Sequence, residues 1–219
     1  MEPTLPEAST LALFFVTALA LIAVPGPNML FILSQGVVQG RRAAFAAALG
    51  VELGTLVHVL GTVVGLSALI AASALAFDLL KYAGVAYLLY LAVRALRAPA
   101  DEGLPPGDAA AGGTALRLLR RGALVNILNP KVALFFLALL PQYVAPERGS
   151  VLTQSLVLGL VFFLVALGLD LCYALASSGV ARWLARHERF RRSQKYVTGG
   201  TYLALAGAAL FAGRPASRA

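Results

Sequence analysis

Six long apolar runs, at about residues 10–36, 43–73, 79–97, 118–143, 151–180 and 196–213, limit what this chain can fold into. Each reaches the roughly 17–25 residues needed to cross a hydrocarbon core about 30 Å thick. Charged residues make up 13% of the chain and mean hydropathy is +0.81, against about 25% charge in a soluble domain. The expected fold is therefore an all-α integral membrane protein with six transmembrane helices. A cleaved signal peptide is not expected at the start, because residues 1–10 (MEPTLPEAST) hold two acids and no base, where a signal peptide is basic. The lone Cys172 excludes an intramolecular disulfide, and as a small apolar side chain it is expected to be buried.

The net charge of +8 raises the question of nucleic acid. Its distribution answers it. Thirteen bases fall in three alternate connections: Arg41 and Arg42; Arg94, Arg97, Arg117, Arg120 and Arg121; Arg182, Arg186, Arg189, Arg191, Arg192 and Lys195. The other side holds only Lys81, Arg148, Arg214 and Arg218. Bases beside short spans stay cytoplasmic, so both termini are expected outside. The charge sets topology, and no nucleic-acid partner is expected.

Segment 98–117 is rich in Ala, Gly and Pro and reads as a cytoplasmic linker. It separates residues 1–97 from 118–219, three helices on each side. Three matches recur in order across the halves: AVPGPNMLFIL (23–33) with ILNPKVALFFL (127–137), LGVELG (49–54) with LGLDLC (167–172), and GVAYLLY (84–90) with GGTYLAL (199–205). Pro27 then matches Pro130, Glu52 matches Asp170, and Tyr87 matches Tyr202. Three helices per half forces the second half to enter from the opposite side. The expected architecture is two inverted three-helix repeats with broken first and fourth helices, a construction used by secondary transporters.

Proline inside a helix removes a donor and clashes with the preceding turn. Pro25-Gly26-Pro27 and Asn129-Pro130 therefore break the first and fourth helices, and backbone freed in lipid must be satisfied by protein or a watery cavity. Opposed breaks offer helix N-termini to a carboxylate and carbonyls to a cation, which together suit a zwitterion. Glu52 and Asp170 are the only acids deep in helices, and intramembrane acids cost on the order of 2.5–3.5 kcal/mol. Thr55 lies on the Glu52 face, whereas Gly50, Gly54, Gly61 and Gly65 form an opposite small-residue face suited to packing within the chain or in a homodimer. Tyr173 and Ser177 share the Asp170 face. Lys131 is open to three roles: pairing with an acid, binding a cargo carboxylate, or snorkelling to the interface. His58 reads as a packing or hydrogen-bonding residue, and Tyr87 and Tyr202 as cavity hydroxyls or packing groups. Two histidines and one cysteine without H-x-x-x-H or C-x-x-C spacing leave metal ligation poorly supported, and no cofactor motif is present.

Together PGPN, GVELGTLVH (50–58), LKYAGVAYLLYLAVRALR (80–97) and NILNPKVALFFLALLPQYV (126–144) resemble the LysE/RhtB family of bacterial amino-acid exporters. The resemblance implies a multi-pass inner-membrane exporter of amino acids such as homoserine, threonine, leucine or lysine, working by proton antiport with alternating access. Family motif residues fall on Pro25, Gly26, Pro27, Asn129, Pro130 and Lys131; Asn28 and Asn126 flank them. Many members carry Asp where this chain has Thr55, with Glu52 nearly one turn earlier. The wider superfamily is similar to exporters of cadmium and other ions, so inorganic cation efflux is one alternative, and a non-transporting membrane protein another.

Overall fold

The computed structural model describes residues 5–72, 74–97, 114–186 and 188–211, which are helical with no strand among them. In chain order they form α1 (Ala8–Ala23), α2 (Pro27–Gln39), α3 (Arg41–Ala72), α4 (Ala74–Arg97), α5 (Ala115–Ile127), α6 (Pro130–Leu134), α7 (Val151–Arg186) and α8 (Glu188–Phe211). A π-turn (Phe135–Leu139) and a 3₁₀ turn (Leu140–Tyr143) continue α6. Most of the 98–117 linker, residues 98–113, lies outside the described residues; its end, from Ala115, already belongs to α5.

Both expected breaks are present. Gly26 is fully extended (φ −159°, ψ −175°) and Pro27 opens α2, where its missing N–H is no loss. The axis bends by 52° between α1 and α2. At the second break Asn129 is extended, Pro130 opens α6, and the Asn129 side chain accepts from the Lys131 N–H at 3.0 Å. That is N-capping, which satisfies one of the orphan donors of the new helix. The bend there is 48°.

Two helical stretches, Arg41–Gly65 and Val151–Ser177, are long and apolar enough to cross a membrane, as are the two bent pairs α1–α2 and α5 to Tyr143. The outward faces are as apolar as the core: Val16, Leu60, Val64, Leu160 and Leu164 are each more than half exposed. Such a surface suits a lipid solvent and not water.

The glycine face of α3 divides in two. Gly50 and Gly54 press against α5 backbone at Leu119 and Ala123, and Gly122 of α5 presses back on Ala47 and Val51. Gly61 and Gly65 meet nothing within 4 Å. Helix backbones approach this closely only where side chains are absent. Gly36 makes a similar contact, α2 lying against Ser177 of α7. The main core gathers Phe14, Phe135, Phe136 and Phe162, with ring centroids 4.8 Å apart for both Phe135–Phe162 and Phe136–Phe162.

Two local expectations need correction. Cys172 is exposed, not buried, because α7 turns Asp170, Ala174 and Ser177 inward and leaves 172 on the outer flank. Lipid favours a small apolar group as much as a core does, so hydropathy could not separate the two. The basic stretch at 182–195 is not an extended loop: α7 continues to Arg186 and α8 begins at Glu188. Arg, Glu, Lys and Ala are strong helix formers and carry the helices past their apolar portions.

Candidate functional site

α3 and α7 pack beside the two breaks and bring Glu52 and Asp170 into one cavity. Its walls are Leu21, Ile22, Val24 and Gly26 from the first break, Asn28 and Met29 from α2, Glu52 and Thr55 from α3, Lys131 and Val132 from α6, and Phe162, Ala166 and Asp170 from α7. Glu52 is 2% exposed, Asp170 3% and Lys131 6%.

The acids sit within electrostatic reach of each other, and Asp170 within reach of Lys131. Thr55 and Asp170 lie close to the Glu52 carboxyl, yet no donor among the described residues meets either oxygen at hydrogen-bond distance and angle. An orphaned buried carboxyl is costly, on the order of several kcal/mol if charged and unpaired, so it marks a place where another group belongs.

Lys131 does not snorkel. Its Nζ donates to the carbonyls of Leu21 at 3.0 Å and Val24 at 2.8 Å. These are carbonyls at the C-terminal end of α1: Leu21 O lacks its helical partner because Pro25 has no N–H, and Val24 O lies past the last turn, where Val24 is already extended. A cation there also opposes the negative end of the helix dipole. The absence of a side chain at Gly26 admits the ammonium, since a Cβ would stand 3.2 Å from Nζ.

Behind the cavity runs a ladder of three asparagines. Asn129 Nδ2 donates to Asn28 Oδ1 at 2.9 Å, and Asn28 Nδ2 donates to Asn126 Oδ1 at 2.9 Å. Asn126 Nδ2 then donates to Val51 O at 2.7 Å and to Thr55 Oγ1 at 2.8 Å. His58 Nε2 lies 3.0 Å from the Asn126 carbonyl, and its ring stacks on Phe136 at 5.9 Å. The ladder ties the start of α2, the end of α5 and the middle of α3 together across both breaks.

Replacing Asn126 with Ala removes three side-chain hydrogen bonds in a fully buried position, each worth about 1 kcal/mol. The apparent melting midpoint in detergent is expected to fall by roughly 5–10 °C. An unchanged midpoint would mean that the ladder carries no stability.

Of the residues expected at the site, Gly26, Asn28, Glu52, Thr55, Lys131 and Asp170 line the cavity. Pro25, Pro27 and Pro130 set the breaks, and Asn126 and Asn129 stand behind the wall. Tyr87 and Tyr202 are not among the lining residues; Tyr202 is buried in the main core and Tyr87 packs against it. Sequence reasoning missed Phe162 and Ala166. Their spacing of four residues from each other and from Asp170 puts all three along one helix face, and that periodicity was the available signal.

Residues 19–213 match the family model described as LysE type translocator. The chain is 31% identical to the homoserine/homoserine lactone efflux protein of Salmonella typhimurium, over 93% of this chain and 96% of that protein. It is 28% identical to the leucine efflux protein of Klebsiella pneumoniae, over 88% and 91%, and 35% identical to an uncharacterized membrane protein of Pseudomonas aeruginosa, over 82% of each. No solved structure matches it. The named relatives are efflux proteins and not enzymes. Two broken apolar helices meeting at a buried acid pair, together with a family match over nearly the whole length, make this chain a member of the LysE type translocator family.

Proposed function

We propose that the protein exports a small amino acid, by proton antiport with alternating access, from the cytoplasm across the bacterial inner membrane. The observation that carries this reading is the Glu52 carboxyl, buried beside Asp170 at the junction of two helix breaks, with both oxygens lacking a hydrogen-bond partner among the described residues. An amino-acid ammonium supplies both the charge and the donors that this group lacks. With all three groups charged, Glu52 and Asp170 outnumber Lys131 by one, so a further cation balances the site. In this mechanism cargo ammonium and a proton take that place in turn. The N-terminal end of α2, where Gly26, Asn28 and Met29 face the cavity, receives the cargo carboxylate. Ile22, Met29, Phe162 and Ala166 form the apolar wall for its side chain.

Supporting this is the paired origin of the acids, Glu52 from the first half (1–97) and Asp170 from the second (118–219). It favours two inverted repeats and with them six spans, and the bases at 41–42, 94–121 and 182–195 favour external termini. The names of the relatives favour cargo of the homoserine or leucine kind. The cavity, about 20 Å³, has room for one or two waters. Cargo therefore enters only after α7 and the broken helices separate.

Purified protein in proteoliposomes, preloaded with a mixture of amino acids and given an inward proton gradient, is expected to release one or a few of them faster than empty-vector controls. Release of none, with protection of whole cells against cadmium alone, would sink the amino-acid reading. Among the described residues no group of three His, Cys, Asp or Glu could hold a metal ion.

A further inference from the structure

The carbonyl end of α1 is a cation subsite already filled by the protein itself. Lys131 Nζ stands 2.8 Å from Val24 O and 3.0 Å from Leu21 O, with Asp170 as its electrostatic partner. Its stem crosses from the second break to the first, passing beside the bare backbone of Gly26. Unwound carbonyls next to a carboxylate form the ligand set that hard monovalent cations take. Here an ammonium on a four-carbon stem occupies it. The nearby Glu52 carboxyl has no hydrogen-bond donor among the described residues, so the one lysine of the cavity lining is held on backbone oxygens and leaves an acid open.

We propose that Lys131 is a tethered cation standing where a coupling metal ion would otherwise bind, and that Leu21 O, Val24 O and Asp170 make up a monovalent cation subsite. The lysine stays with the protein through every cycle, so the subsite needs no ion from solution. Transport by the wild-type protein is then independent of sodium, and the open carboxyl of Glu52 is left to cargo. The subsite itself goes beyond the efflux reading; only its consequence for flux rests on that reading.

Removing the lysine should open the subsite to external cations. Lys131→Ala deletes the equivalent of n-propylammonium, whereas Lys131→Met keeps most of the stem and fills the same space. In detergent at constant ionic strength, n-propylammonium and sodium are expected to raise the melting midpoint of Lys131→Ala by about 3 °C relative to choline, as a ligand at roughly ten times its Kd would. Neither cation should shift wild type or Lys131→Met. In proteoliposomes, flux by Lys131→Ala should become dependent on sodium or n-propylammonium by about fivefold, a difference of under one tenfold step in affinity. Equal shifts in all three proteins, or none in a folded Lys131→Ala, would overturn the proposal.

Wild type supplies an arm independent of how the variants fold. Its flux should stay within about twofold when choline replaces sodium, well below the tenfold step that loss of about 1.4 kcal/mol of binding would cause. A wild-type flux that requires sodium overturns the tethered-cation assignment while leaving amino-acid export intact. Wild-type vesicles that move no amino acid overturn the export reading instead, and the melting experiment alone then decides the subsite.

Discussion

Glu52→Gln is expected to lower gradient-driven amino-acid efflux at subsaturating cargo by roughly 10–100-fold, the loss of one charged hydrogen bond worth about 1.5–3 kcal/mol. Gln keeps the volume of Glu and removes only its charge, so cavity shape is held while the ammonium partner is weakened. Stability should not fall. Among the described residues none donates a hydrogen bond to Glu52, and replacing a buried charge of this kind by a neutral group removes a desolvation cost. The expected signature is therefore intact melting with lost transport. Asp170→Asn should behave differently, because Asp170 lies within reach of Lys131. There the midpoint should drop as well, since a buried cation loses the acid that acts on it most directly. Unchanged flux with unchanged pH dependence in Glu52→Gln would remove that residue from the mechanism.

Gly122→Ala is expected to be strongly destabilising for a single added methyl. A Cβ there would fall 2.5 Å from Ala47 O and 2.8 Å from Val51 N, both backbone atoms of α3 that cannot rotate away. Overpacking of this kind costs about 1–3 kcal/mol, a large share of the 5–15 kcal/mol typical of a fold. The apparent midpoint should drop by roughly 5–10 °C, and flux with it, because α3 carries Glu52 and Thr55. Gly61→Ala is the matched control. Nothing lies within 4 Å of that site, and alanine gains about 1 kcal/mol of helix propensity over glycine, so its midpoint should hold or rise. Equal losses in both variants would mean that helix approach is not what Gly122 serves.

The breaks were legible in the sequence because proline acts locally: it removes a donor and clashes within its own turn, whatever surrounds it. The meeting of Glu52 and Asp170 in one cavity was legible through the likeness of LGVELG (49–54) to LGLDLC (167–172), which paired two residues far apart in sequence. The asparagine ladder was not. Asn28, Asn126 and Asn129 drew notice as neighbours of the prolines, but their mutual bonds span 98 and 101 residues and depend on how two bends superpose. The role of Lys131 was left among three alternatives, since depth along a helix does not say which carbonyls a long side chain will find. Outer and inner faces were the least legible part. An apolar residue is at home in lipid and in the core alike, which is why Cys172 was misplaced.

The split glycine face of α3 has a mechanical meaning. From Ala47 to Gly54 the helix is clenched against α5, backbone to backbone, whereas Gly61 and Gly65 have open space around them. The rest of that stretch is not loose, for Val59, Thr62 and Val63 on its other flank are buried. Glu52 and Thr55 sit at the edge of the clamp, so their height and rotation are set by backbone pressed on backbone, which cannot give way as a side chain can.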